Sequence, residues 1–245
     1  MDPNQTTAAA PAKEPAQVGA AAELLETAAN PGLTEDAALG LLNRSDLPAE
    51  ALEAISKNGG LMKRRKIRVG VARHPNTPRH VSLPLLRQLY TFDLMQVALT
   101  PITPADVKKA ADEILAAKLA SISSGERLSL AKRGSTRIAG ELLVDKEPRI
   151  MQAALENGRV TEAVIVKALA RHDAPAPFVE AVCHHPKWSL RREIRIALLR
   201  SDKTPLARAL EFARAFPPAL VREILQNSRL PASTKAYIQK ELAAR

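Results

Sequence analysis

The sequence predicts an all-α fold, a solenoid or superhelix of stacked antiparallel helical hairpins. One observation is a repeat: the segment 194–205, IRIALLRSDKTP, has a near copy at 67–78, IRVGVARHPNTP, and a unit that recurs in this way is typical of a repeat array. A second is that apolar residues recur at three and four positions rather than at two, which is the helical period. A third is that aromatic residues make up only 3% of the chain, whereas sheets favour aromatic and β-branched residues.

Proline sets the length of the predicted unit. From Pro48 to Pro78 is 30 residues, and from Pro78 to Pro104 and from Pro205 to Pro231 it is 26. Two helices of about ten residues with two short turns fill such a length. Proline at the first helical position loses no hydrogen bond and already has a helical φ. Each of these prolines is therefore predicted to open a helix, and the threonine of each Thr-Pro pair is predicted to cap it.

Three segments organise the predicted chain. Residues 1–20 are rich in Ala, Pro, Gln and Thr and have no apolar period, which is typical of a disordered tail. N-terminal helical repeats are predicted over 21–122, beginning with a helix near 21–29, and C-terminal helical repeats over 123–245. We expect the two sets of repeats to form one continuous solenoid.

Local signals predict individual helix ends. Thr34 precedes two acidic residues, so it is predicted to cap a helix whose dipole favours negative charge in the first turn. Ser123 and Glu126 have the spacing of a capping box, in which each side chain bonds to the backbone N–H of the other. Gly59 and Gly60 are predicted to form a turn.

The segments 68–78 and 195–205, supported by 97–104, resemble those of HEAT-like α-solenoids, and more narrowly the leucine-rich-repeat-variant type. In that type a valine- and arginine-rich helix runs into an Asn/His-Pro-x-Thr-Pro turn. The likeness extends in rhythm over most of residues 34–243. Members with an iron–sulfur centre have a cysteine cluster, whereas this chain has Cys183 alone, so no cluster is carried over. The resemblance implies stacked helices with an extended concave surface, and it implies no reaction.

Composition limits the classes of partner and site. The formal net charge is +10, which favours nucleic acid, an anionic membrane face or an acidic protein as partner. A single cysteine allows no intrachain disulfide, fits a reducing compartment and excludes a cysteine-built zinc or iron–sulfur site. The chain starts with neither a basic nor an apolar leader, and no apolar run approaches the roughly 20 residues of a membrane span. We expect a cytoplasmic protein without a membrane span.

The first candidate binding cluster lies in the span 54–92, which holds nine Lys and Arg residues and no Asp or Glu. A helix starting near Leu61 would place Arg64 and Arg68 one turn apart on one face. Such a cluster can bind phosphates or an acidic partner. The alternative is a solvated helix face whose charges are paired with acids on adjacent repeats. The candidates are Lys63, Arg64, Arg65 and Arg68.

The second candidate cluster repeats the first, because three of its arginines match Arg64, Arg65 and Arg68 when the two near copies are superposed. The two sets could form two rungs of one basic surface. Trp188 could stack on a base or anchor a partner, although a lone Trp at a helix start is more often a core residue. The candidates are Lys187, Trp188, Arg191, Arg192 and Arg195.

No catalytic, cofactor or metal motif is recognisable. The sequence contains no Walker loop, GxGxxG, GxSxG or HExxH. His184 and His185 are adjacent, so their side chains diverge on a helix, whereas a metal-binding pair needs a spacing of four. His74 and His172 are predicted as helix C-terminal caps, where a partly charged imidazole suits the dipole. The prediction is therefore a protein that is not an enzyme and that binds no metal or cofactor.

Three functions remain, in order of preference. The first is a non-catalytic interaction scaffold that binds a protein partner, probably acidic by charge complementarity, through a basic face. The second is a solenoid that grips DNA or RNA phosphates without reading sequence. The third is a HEAT-like DNA glycosylase, which would need a carboxylate beside aromatic residues in a basic groove. The oligomeric state stays open.

Overall fold

The computed structural model describes residues 15–243, and every regular element in that part of the chain is a helix. This confirms the all-α class. The chain divides into two compact units, the first ending at Ile114 and the second beginning at Leu115. No helix among the described residues is both long enough and apolar enough to cross a bilayer.

In the first unit, helices that are not neighbours in sequence pack side by side. Helix α1 packs on α3, while α2 packs on α5, and α5 in turn packs on α7. Helix α4 is a single turn inserted between α3 and α5. The bounds are α1 (Pro15–Ala29), α2 (Glu35–Leu42), α3 (Ala49–Lys57), α4 (Gly59–Met62), α5 (Arg65–Arg73), α6 (Arg79–Leu86), α7 (Thr91–Leu99) and α8 (Ala105–Lys118), the last of which crosses the division between the units.

The second unit repeats this alternation. Helices α10, α12, α14 and α16 pack in one row, and α9, α11 and α13 pack in another, with α15 packing on α17. Its helices are α9 (Ser124–Arg133), α10 (Thr136–Leu142), α11 (Pro148–Leu155), α12 (Glu162–Ala170), α13 (Ala176–His184), α14 (Arg192–Arg200), α15 (Leu206–Arg214), α16 (Pro218–Gln226) and α17 (Ala232–Ala243).

Side-chain caps hold two helix starts as predicted. The hydroxyl of Thr34 accepts the backbone N–H of Ala37 at 3.3 Å. Ser123 and Glu126 form the predicted capping box, in which the Ser123 Oγ accepts from Glu126 N and the Glu126 carboxylate accepts from Ser123 N. These caps satisfy N–H groups that the first helical turn leaves without partners.

The prolines stand one position earlier than predicted. Pro48, Pro78 and Pro205 are N-cap residues, and each helix begins at the next residue. The carbonyl of Pro78 already accepts the first intrahelical bond, from Ser82 N at 2.9 Å. The N-cap tolerates proline because its own N–H is outside the helical ladder.

The threonines before these prolines close the preceding helix instead of capping the next one. Thr77 donates its hydroxyl to the carbonyl of Val71, and Thr204 donates to the carbonyl of Leu198, both at 2.6 Å. With proline at the N-cap, each threonine is one residue too early to cap, so its buried hydroxyl turns back to the open carbonyl. The predicted capping role of these threonines is therefore wrong.

Two further predictions about helix starts are corrected. Gly59 and Gly60 begin the short helix α4, because the Asn58 side chain accepts both the Gly60 and the Leu61 N–H groups. Helix α1 begins at Pro15, so it overlaps the end of the segment predicted as a tail, most of which lies outside the described residues.

The two near copies belong to a longer duplication. With a constant shift of 127 residues, 17 of the 49 positions from 30 to 78 hold the same residue in both halves of the chain. Hydrogen bonds repeat with the same shift: the side chain of Asn30 accepts the N–H of Gly32 at 2.8 Å, and that of Asn157 accepts the N–H of Arg159 at 2.9 Å. The same bidentate clip occurs twice, between Arg44 and Asp46 and between Arg171 and Asp173.

Polar side chains in the turns bond to backbone carbonyls about one hairpin earlier in the chain. The His74 Nε2 donates to Arg44 O at 2.8 Å, and the His74 Nδ1 accepts the N–H of Asn76. This buried ring is therefore a neutral tautomer, which corrects the prediction of a partly charged cap. His172, the other predicted cap, is exposed and lies beyond the C-cap residue Arg171.

Two more buried residues make the same bond. The Asn157 Nδ2 donates to Ala131 O at 2.7 Å, and the Ser228 Oγ donates to Leu199 O at 2.6 Å. We call these bonds, together with that of His74, the turn-to-turn hydrogen bonds. They satisfy carbonyls at the ends of helices that have no intrahelical donor.

We expect Thr77→Val and Thr204→Val each to lower the free energy of unfolding by about 1 kcal/mol, because each removes a buried hydroxyl donor. Chemical denaturation measures the change. Thr161→Val is the matched control, since Thr161 is an exposed N-cap whose side chain makes no capping bond. Equal midpoints for all three variants would contradict the structural role of the hydroxyls.

Burial raises the pKa of the Cys183 thiol to about 12, above the value of about 8.5 for an exposed cysteine. The unfolded chain therefore loses this proton at lower pH than the folded chain, and stability falls as pH rises above about 8.5. Between about pH 8 and pH 10 we expect the wild type to lose on the order of 1 kcal/mol more than Cys183→Ala. Parallel pH dependence in the two proteins would refute this.

Candidate functional site

The first predicted basic cluster straddles the junction of α4 and α5. Lys63 is the C-cap of α4 and Arg64 is the N-cap of α5, so the helix predicted from Leu61 is interrupted between them. Arg64 and Arg68 consequently do not lie one turn apart on a continuous helix. Lys63 is exposed and forms no ion pair with any described residue, while the Arg64 Nε lies 3.4 Å from the Glu35 Oε2, in a solvated pair that contributes little.

Arg65 bridges α5 and α7 through a buried carboxylate. Its Nε and Nη2 donate to the two oxygens of Asp93 at 2.8–3.0 Å, and the Asp93 side chain is only 7% exposed. These hydrogen bonds raise the pKa of Arg65 above its usual value. The guanidinium also lies 5.4 Å from the centre of the Tyr90 ring. Arg65 is thus a positioned residue whose charge is already compensated.

Arg68 and its counterpart Arg195 are partly buried and face their own units. The Arg68 Nε is buried and has no hydrogen-bond partner among the described residues. The Arg195 Nε donates to Ser189 O at 2.7 Å, and its guanidinium lies 5.7 Å from the centre of the Phe212 ring. Both arginines lie where packing, rather than solvent, surrounds the stem of the side chain.

The second predicted cluster contains a buried Trp. Trp188 is 3% exposed, and its indole N–H donates to Leu155 O at 3.0 Å. The ammonium of Lys187 covers the ring at 4.1 Å from its centre. Trp188 is therefore a core residue in this structure and offers no free face for stacking.

The remaining arginines of the second cluster are exposed at the start of α14. Arg191 is its N-cap and makes no ion pair within the described chain, and Arg192 lies 3.8 Å from the carboxylate of Glu193. Each unit therefore presents two exposed basic residues of its predicted cluster at one helix start, together with a third arginine that is partly buried.

A groove on the first unit, which we call the first groove, brings α2, α5 and α7 together. Its volume is about 460 Å³. Of the predicted site residues only Arg65 lines it. Its lining residues are Leu39, Leu42, Asn43, Arg65, Lys66, Val69, Gly70, Arg73, Asp93 and Gln96.

The floor of the first groove is apolar. Leu39, Leu42 and Val69 supply it, and Gly70 keeps it open, because a Cβ at position 70 would come within 2.8 Å of the Leu42 Cδ1. A ligand with apolar side chains can cover this floor and remove it from water, at roughly 25 cal/mol per Å² of apolar surface.

The rim of the first groove carries positive charge without compensation. Lys66 forms no ion pair within the described residues, and Arg73 makes only a long contact, 3.4 Å from its Nη2 to the Asn43 Oδ1. The amides of Asn43 and Gln96 each offer a donor and an acceptor. Lys66, Gly70 and Arg73 recur at helical spacing on one face of α5, and that spacing was the sequence signal that could have identified the rim.

The second unit carries a related groove, the second groove, with a volume of about 320 Å³ between α12 and α14. Its floor occupies the same positions as the first when shifted by 127 residues. One equivalent rim position changes sign, because Glu193 takes the place of Lys66. Its lining residues are Val166, Leu169, Ala170, Glu193, Ile196, Ala197, Arg200, Asn227 and Arg229.

The histidine pair is divided between two hydrogen-bonding environments. The Nδ1 of His184 lies 2.9 Å from Glu180 O, whereas the Nδ1 of His185 accepts the N–H groups of Lys187 and Trp188. Burial lowers the pKa of His185 below its usual value, which suits an accepting ring nitrogen. Within the described part of the chain, no three His, Cys, Asp or Glu side chains converge as metal ligands would.

No family model, no curated protein and no solved structure matches the chain. The resemblance to HEAT-like solenoids is therefore supported at the level of an all-helical protein with many packed helices, and no family match assigns a narrower type. The geometry of the two grooves carries the functional inference.

We expect Asp93→Asn to lower the melting temperature by several degrees, because the bridge between α5 and α7 loses the buried carboxylate that holds Arg65. Differential scanning fluorimetry measures the shift. Glu35→Gln is the matched control, an acid-to-amide change at the solvated partner of Arg64, and it should leave the melting temperature nearly unchanged. Equal shifts would show that the Asp93 bridge has no special role.

Proposed function

We propose that this protein is a non-catalytic scaffold of stacked helical repeats, a HEAT-like solenoid, that binds an acidic segment of a partner protein in the first groove. Support for the solenoid comes from the rows of alternating helices and from the duplication with its constant shift. In such arrays each unit contacts its neighbours and presents a continuous binding surface.

The observation that carries the proposal is the combination of an apolar floor with an uncompensated basic rim. Lys66 and Arg73 flank Leu42 and Val69, while Asp93 is occupied by Arg65. A segment that alternates leucine-like and acidic residues matches both features at once. Charge complementarity of this kind favours encounter and fixes orientation.

Nucleic acid is the second candidate, favoured by the nine basic residues of the span 54–92 without an acid. Phosphate binding depends on charge and makes no use of an apolar floor. The buried position of Trp188 also removes a stacking platform. A glycosylase is last, because the carboxylate that lines the first groove, Asp93, has both oxygens bonded to Arg65.

The test is fluorescence anisotropy with a labelled peptide of about 12 residues, roughly three helical turns, composed of leucine and glutamate in an amphipathic pattern. At about 0.15 M salt we expect saturable binding to the wild type. Lys66→Glu with Arg73→Glu should weaken it by about tenfold or more. Lys57→Glu with Arg87→Glu is the matched control, with the same change of charge at exposed residues outside the first groove, and it should weaken binding far less.

A second variant tests the floor without changing charge. Gly70→Ala places a methyl group in the first groove, as the natural Ala197 does in the second, so the fold should tolerate it while binding of the leucine–glutamate peptide weakens. The proposal fails if a leucine–lysine peptide of the same pattern binds equally well. It also fails if a labelled DNA duplex binds more tightly at about 0.15 M salt and both double variants weaken that binding equally.

A further inference from the structure

We propose that the second groove is an independent docking site, for an apolar partner segment with a basic residue at one end and an acidic residue at the other. The chain would then bind two different segments. This inference goes beyond the first groove and does not depend on it.

The floor of the second groove is built from α12 and α14. Val166, Leu169 and Ile196 supply apolar surface at the positions that Leu39, Leu42 and Val69 hold in the first unit. Ala197 replaces Gly70, so the second groove is narrower. The floor again selects apolar side chains.

The two ends of the second groove have opposite charge. Glu193 is in the first turn of α14 and Arg200 is its last residue. The seven positions between them correspond to about 10 Å along a helix. Glu193 makes only a long contact with Arg192, at 3.8 Å, so its carboxylate is available to a cation.

The positive end has two arginines without a side-chain partner. Arg200 and Arg229 are both exposed and line the second groove, and neither side chain forms an ion pair or a hydrogen bond with a described residue. Two guanidinium forks can hold one carboxylate through several parallel N–H donors. Asn227 adds an amide beside them.

Neither arginine is needed to complete the helix end. The last carbonyls of α14 already have donors: Leu198 O receives the Thr204 hydroxyl, Leu199 O receives the Ser228 hydroxyl, and Arg200 O receives the N–H of Arg229 at 3.0 Å. A cationic side chain at a helix C-terminus often has this capping role, but here the role is filled. The guanidinium groups therefore remain free for a ligand.

The backbone that carries Arg229 is fixed before any ligand arrives. The buried Ser228 donates to Leu199 O, and it accepts the N–H of Leu230 at 3.0 Å. Arg229 lies between these two anchored residues and bonds to α14 through its own N–H. Only the arginine side chains must be ordered on binding, which keeps the entropic cost low.

The first groove lacks this acid clamp. The positions equivalent to Asn227 and Arg229 hold Thr100 and Ile102, and Glu193 is replaced by Lys66. The first groove is thus basic along α5, while the second has one acidic end and one basic end. Two grooves from one duplicated sequence have diverged in charge, so they discriminate between partner segments.

The experiment uses the full chain and a labelled peptide of about 12 residues with lysines at one end, leucines in the middle and glutamates at the other. Binding is measured by anisotropy at about 0.15 M salt. Arg200→Gln with Arg229→Gln should weaken binding by about tenfold or more. Arg133→Gln with Arg191→Gln is the matched control, at exposed arginines outside the second groove, and it should weaken binding far less.

Two further readouts separate this proposal from the first. Lys66→Glu with Arg73→Glu should leave binding of the lysine–leucine–glutamate peptide unchanged even if the first groove proves inactive. Replacing the glutamates of the peptide with glutamine should weaken binding as much as the Arg200 and Arg229 changes do, and circular dichroism melting should show both variants folded.

The proposal is overturned if this peptide does not bind, if the glutamine peptide binds equally, or if the control arginines matter as much. It is also overturned if a labelled DNA duplex competes for the site at about 0.15 M salt and loses affinity only in the Arg200 and Arg229 variant, because the clamp would then be a phosphate site.

Discussion

Turn-to-turn hydrogen bonds are the constraint on which the rest of the structure depends. A short helix leaves its last carbonyls without partners, and helices of eight or nine residues have a large share of such groups. Here the buried polar side chains His74, Asn157 and Ser228 reach back about one hairpin and supply the missing donors. Each of these bonds fixes the spacing between one helix end and the next, so the alternating rows of helices follow from them together with apolar packing.

The grooves are a consequence of this spacing. Helices of one row lie side by side, and small or branched residues such as Gly70 and Val69 leave a channel between them. Because the turns satisfy the backbone, arginines at the helix ends are not required for capping. They can then differ between the two units without loss of the fold, which is how Lys66 and Glu193 come to occupy equivalent positions.

Helix starts and the candidate site were predictable to different degrees. The capping box at Ser123 was visible because its residues are neighbours in sequence. The basic clusters were visible as charge, but Arg65 is paired with Asp93, 28 residues away, and Trp188 is bonded to Leu155, 33 residues away. Those partners lie on other helices, so local spacing carries no signal for them.

The sequence by itself determined the all-α class, the recurrence of its units and the surplus of positive charge, because helical period, repeated motifs and charge are properties of neighbouring residues. Only the tertiary structure decided which charges are free. Whether Arg65, Lys66, Arg200 and Arg229 face an acid, a backbone carbonyl or an open groove depends on which helices pack together. That packing is set by contacts between residues far apart in the chain, and these contacts leave no periodic trace in the sequence.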